Sequence, residues 1–142
     1  MARALGINHV ALDVGSVDEA LDFWRALFPG LQLRSQSRRM AFIDLGDQFI
    51  ALVEHAVEPQ NEHRHFGLVV EGVPAVIDAA RERGAPVHGN NVADPWGNRF
   101  DVVEYTDVQF MKAEPVLRAQ NAAHLAKSES ALAELRAKGI EL

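Results

Sequence analysis

His9-Val-Ala-Leu-Asp-Val14 and His65-Phe-Gly-Leu-Val-Val70 begin and end alike and lie 56 residues apart. Carried outward, the same register sets Leu12 on Leu68, Val17 on Val73, Asp22 on Asp78 and Arg25 on Arg81. Chance supplies roughly one identity in such a window, so the agreement points to an internal duplication. Later the register shortens to 50, and Ala51-Leu-Val-Glu54 falls on Asp101-Val-Val-Glu104. The chain reads as two like modules, 5–54 and 65–105, joined by a polar linker over 55–64 that carries Pro59.

Each module has the same predicted order of strand, helix and three strands. Ile7 to Val14 alternates, with Val10, Leu12 and Val14 on one face and Ile7, His9, Ala11 and Asp13 on the other. Ser16-Val-Asp-Glu19 has capping-box spacing, and Ala20, Leu21, Phe23, Trp24, Leu27 and Phe28 give the helix behind it a broad apolar face ended by Pro29-Gly30. Strands are predicted over 31–35, 39–45 and 48–54, with Gly46-Asp47 as the tight turn. In the second module His65 to Glu71 is the strand, Pro74 opens the helix and Gly84 stops it. Two weak strands follow over 87–90 and 91–93. Asp94-Pro-Trp-Gly-Asn98 is a turn ahead of the strand Arg99 to Tyr105. From Pro115 to Lys138 the Ala, Lys, Glu and Leu content predicts one helix stopped by Gly139, with Leu125, Leu132 and Leu135 as an apolar stripe that either braces the domain or reaches a second subunit. The expected organisation is a paired α+β domain over 1–106 and a helical extension over 107–142.

Composition narrows the function. The chain has 142 residues, of which 48% are hydrophobic and 24% charged, as expected for one domain or two small halves sharing a core. Fourteen Lys and Arg against 20 Asp and Glu leave a net charge of −6, with no extended basic stripe, so nucleic acid is not an expected partner. No apolar run approaches a membrane span, and the opening Met-Ala-Arg-Ala-Leu-Gly lacks a signal-peptide apolar region, so a soluble cytoplasmic protein is expected. With no cysteine, side-chain metal ligands are limited to His and carboxylates.

Strand parity sorts those groups. Leu12 and Leu68 mark the helix-facing sides, so His9 and His65 face the other way, and Ala51 and Asp101 share their face. Two equivalent histidines and one carboxylate make His9, His65 and Asp101 a candidate two-His-one-carboxylate set, an arrangement suited to Fe(II) with positions left open. The competing reading is a salt bridge from Asp101 to Arg99 or another arginine. Glu54 and Glu104 have helix-facing parity at strand ends, where a carboxylate normally emerges into water; a bulge would instead make them the ligands. Tyr105 follows the parity of Asp101, and its hydroxyl either bonds a substrate oxygen or packs at the strand end. Met40 and Phe42 are candidate pocket residues. Trp24 reads as helix core, and Trp96 either closes a pocket edge or covers its turn. His55, His63 and His88 read as loop histidines.

Asn8-His9-Val-Ala-Leu, Val17-Asp-Glu-Ala-Leu-Asp-Phe-Trp24, His65-Phe-Gly-Leu and Asp94-Pro-Trp-Gly-Asn-Arg-Phe-Asp-Val-Val-Glu104 together resemble the vicinal oxygen chelate superfamily of glyoxalase I, extradiol dioxygenases and bleomycin-resistance proteins. The resemblance spans about residues 5–106. It implies two paired βαβββ modules whose curved sheets form a cleft, with metal ligands on the first and last strand of each, here His9, Ala51, His65 and Asp101. Glyoxalase I has a carboxylate where Ala51 stands, so the resemblance favours an extradiol-dioxygenase-like set, with Asp101 in place of Glu. It implies a divalent metal, Fe(II) first and Mn, Ni or Zn as substitutes, a small substrate with neighbouring oxygens, and a homodimer. The alternative it offers is a metal-free drug-binding protein of the bleomycin-resistance type.

Overall fold

Alternation along β1 (His9–Val14) buries Leu12 and Val14 and leaves His9 and Ala11 exposed, and β5 (His65–Val70) repeats the pattern residue for residue. In the computed structural model, which describes residues 7–58 and 64–142, each of these strands opens a βαβββ module. The first continues through α1 (Val17–Leu27), β2 (Leu33–Gln36), β3 (Met40–Asp44) and β4 (Phe49–Glu54). The second continues through α2 (Val73–Glu82), β6 (Val87–His88), β7 (Asn91–Ala93) and β8 (Arg99–Glu104). The two sheets are four-stranded and mixed, ordered β1-β4-β3-β2 and β5-β8-β7-β6. In each, the first and last strands of the module run parallel at one edge of the sheet, pairing His9 with Phe49 and His65 with Arg99. Pro59 and His63 lie outside the described residues.

The helix starts depend on the far ends of those parallel pairs. Ser16 caps α1, its hydroxyl accepting from the Glu19 N–H at 3.2 Å, and Glu54 at the end of β4 accepts from the Val17 N–H at 2.9 Å. Gly72, at the equivalent cap of α2, has no side chain and a φ of 84°. There Glu104 takes both the Gly72 and Val73 N–H groups, at 3.0 Å each. A carboxylate on a helix N-terminus is favoured by the exposed amides and the helix dipole together. This corrects the expectation that Glu54 and Glu104 emerge into water, and it commits both to structure.

The inner faces of both sheets and both helices share one core. The Trp24 indole of α1 stacks on Phe100 of β8 at 4.9 Å, so the first module's helix reaches the second module's sheet. Among the described residues the Trp24 Nε1–H is the one buried side-chain donor without a partner. The turn Asp94–Asn98 locks the same seam: the Asn98 side-chain amide donates to the Asp13 carbonyl at 2.8 Å, and Asp94 accepts from the Trp96 and Asn98 N–H groups. Burial pushes the Asp94 carboxyl up despite these donors. Because both inner faces are spent on this core, the faces carrying His9 and His65 point away from it.

After a 3-10 turn (Tyr105–Asp107) the tail forms two short helices, α3 (Glu114–Ala119) and α4 (Glu129–Ala137), rather than the single helix expected over 115–138. Asn121 at φ 57° ends the first, and the Ser128 hydroxyl caps the second through the Ala131 N–H. The tail braces both modules. Lys112 donates to the Leu45 carbonyl at 2.8 Å and pairs with Asp47 in the first, while His124 meets Glu71 of the second at 2.5 Å.

Candidate functional site

The two outer faces carry the candidate residues, and the chain keeps them apart. On the first, His9 stacks flat on its register partner Phe49, ring centroids 4.7 Å apart and planes 7° from parallel. Its Nδ1 lies 2.9 Å from the Asn8 side-chain oxygen. An acceptor there makes Nδ1 the protonated nitrogen and leaves the Nε2 lone pair free, the form a metal or a proton needs. Ala51 sits opposite Phe42 of β3, 5% exposed and without a donor atom.

On the second face His65 and Asp101 meet, with 3.4 Å between Nε2 and Oδ2 and side chains about half exposed. The other carboxylate oxygen accepts from the Asn91 amide at 2.8 Å, and Arg99 donates to the Asn91 oxygen at 3.0 Å. Arg99 therefore acts on Asp101 through Asn91 rather than by a direct salt bridge. Among the described residues no three His, Asp or Glu side chains come together in a way that could hold a metal. One chain thus joins two of the three candidate ligands, His65 and Asp101, and leaves His9 on the other sheet.

Tyr105 closes β8 in the 3-10 turn and is buried, its ring edge-on to Phe110 at 6.4 Å and beneath the Lys127 ammonium at 3.5 Å. Of its two sequence readings, strand-end packing describes these surroundings. Lys127 also donates to the Tyr105 and Val108 carbonyls, and desolvation holds its ammonium below the ordinary lysine range. His55 is exposed yet engaged, 2.6 Å from Asp13 and 3.0 Å from the Ala56 carbonyl, and His88 is exposed on β6. Trp96 lies on Gly15 and borders an open depression of about 560 Å³ with Arg39, Glu54 and His55.

Three contributors escaped the sequence reading. Asn91 has the parity of Asp101, visible only once β7 and β8 are in register. Phe49 shares the alternation of Ala51 and was legible as an outer-face residue. Arg34, placed with its guanidinium 4.8 Å from the Phe49 ring centre, sits at the register shift between Leu33 and Ser35 of β2, which breaks simple alternation.

The sequence profile of the Glyoxalase/Bleomycin resistance protein/Dioxygenase superfamily matches residues 6–110. Solved structures share the fold. The fosfomycin resistance protein FosX from Listeria monocytogenes superposes with a TM-score of 0.61 at 15% identity, over 71% of this chain and 92% of that one. Lactoylglutathione lyase from Agrobacterium tumefaciens gives 0.54 at 21% identity, over 73% and 96%. An integron cassette protein from the mobile metagenome of V. cholerae gives 0.56 at 16%, over 74% and 98%.

Proposed function

The chain belongs to the glyoxalase, bleomycin resistance protein and dioxygenase superfamily, and we propose that it is a metal-dependent enzyme for a small substrate with vicinal oxygens, working as a homodimer. The observation that carries this reading is the His65–Asp101 pair on an open sheet face, its carboxylate oriented by Asn91. His9, equivalent to His65 by the repeat, opens on the opposite face with its Nε2 free. In a two-fold dimer that sets the first outer face of one copy against the second outer face of the other, His9 of one copy would join His65 and Asp101 of its partner copy, and symmetry would make two such sites. A divalent metal held there, Fe(II) first among the candidates, would polarise two neighbouring substrate oxygens.

The chain's own residues do the rest. Asn8 fixes the His9 tautomer, Asn91 holds the Asp101 carboxylate, and Phe42 and Phe49 form an apolar wall that excludes water from the ligand side. Three ligands leave open positions for substrate oxygens, which favours dioxygenase over glyoxalase chemistry, since Ala51 offers no second base. The Ala51 position also supports a second reading, a metal-free small-molecule binder.

Complementation separates them. Prepared without oxygen, wild type is expected to bind about one Fe(II) per chain, His9→Ala and His65→Ala to bind none, and their co-refolded mixture to recover roughly a quarter of the wild-type sites by random pairing. No metal in wild type makes the binder the function. Loss in both variants without recovery in the mixture would mean that a single chain supplies all three ligands.

A further inference from the structure

The two outer faces differ in chemistry, and the difference describes a ligand. Around His65 the second face is polar, built on Asp101, Asn91 and Arg99. The first is aromatic: Phe49 stacks on His9 and on Phe42, both at 4.7 Å, and Met40 beside them is 39% exposed. Large apolar groups on an open sheet face mark a surface meant to be covered. Over them Arg34 holds its guanidinium 4.8 Å from the Phe49 ring centre and makes no ion pair or hydrogen bond among the described residues. Attraction to a ring face uses none of the guanidinium N–H groups, and their fork matches a carboxylate in two parallel hydrogen bonds.

We propose that the small molecule bound at this face is an aromatic carboxylate, its ring laid against the Phe42–Phe49 wall and its carboxylate paired with Arg34. This rests on reading the outer faces as the binding site, and it adds the class of ligand. A ring is preferred to an aliphatic body of equal size because aromatic contacts contribute beyond the area they bury. A carboxylate is preferred to a phosphate because the cation that this face itself holds over the Phe49 ring is a single guanidinium, which balances one negative charge.

The test is titration of the full-length, metal-free chain, followed by NMR, with benzoate, cyclohexanecarboxylate, benzyl alcohol and phenyl phosphate. Benzoate is expected to bind at least about threefold more tightly than each of the other three. Arg34→Gln, an exposed change, is expected to weaken benzoate by about fivefold or more and to leave benzyl alcohol within about twofold. Equal binding of cyclohexanecarboxylate, tighter binding of phenyl phosphate, or an unchanged benzoate affinity in Arg34→Gln overturns the proposal. Since no metal is present, a chain that selects benzoate but takes no Fe(II) overturns the metal reading alone. A chain that takes Fe(II) across two copies without selecting benzoate overturns the aromatic-acid inference alone.

Discussion

Trp24 and Phe100, 76 positions apart in the chain, lie ring on ring at 4.9 Å with 21° between their planes. This contact makes one core of two modules, so the halves are expected to unfold together. Trp24→Ala should cost about 3–5 kcal/mol, and chemical denaturation should still show one transition. Trp24→Phe, which also removes the unpartnered N–H, should cost less than half as much. Two separate transitions in wild type would show that the stack does not couple the modules.

Glu104 serves two amides at the start of α2, where Gly72 has no capping side chain, whereas Glu54 serves one and shares the task with Ser16. Glu104→Ala is therefore expected to destabilise by about 1–2 kcal/mol and Glu54→Ala by less. Metal content should be unchanged in both. Loss of bound Fe(II) from stably folded Glu104→Ala would return that residue to the ligand set.

The Lys112 hydrogen bond holds the Asp47 carboxyl below the ordinary carboxylate range. Between its folded and unfolded values the unfolded chain binds more protons, so stability from this pair rises with pH across that window. It is fully present above about pH 4 to 5 and lost as acid carries the pH down through the folded value. Asp47 is nearly half exposed, so solvent screening limits the effect to about 0.5 kcal/mol. The stability difference between wild type and Asp47→Asn should appear at neutral pH and vanish in acid; a difference that grows in acid would contradict the pairing.

Gly15 and Gly30 should respond oppositely to alanine. A Cβ on Gly15 would collide with the Trp96 Nε1, displacing the indole and straining the seam at a cost of about 1–3 kcal/mol. A Cβ on Gly30 meets nothing within 4 Å, and the residue has no positive φ, so Gly30→Ala should be neutral or stabilising by up to about 1 kcal/mol. Melting temperatures of the two variants check both signs.

Sequence legibility followed the range of the interactions. Strand faces and the Ser16 cap were readable because they depend on neighbours two to four residues away. The parity of Glu54 and Glu104 was readable too, but not their targets, because the amides they accept from are 37 and 31 or 32 residues distant. The tail misled because its Ala and Leu content favours helix throughout, while one residue, Asn121 in the left-handed region, ends the first segment. The separation of His9 from His65 and Asp101 had no local signal at all. It follows from the way Trp24 and Asn98 join the modules back to back, which no spacing encodes.

The repeat that relates the halves sets Ala80 where the first has Trp24, and Ile50 where the second has Phe100, and all four are buried. The duplicated halves have thus traded volume, one growing an indole on its helix and the other a phenyl ring on its sheet. A chain built from two first modules would bring two indoles to a seam shaped for one, and one built from two second modules would leave that seam hollow. The copies are no longer interchangeable, and each has become the other's template.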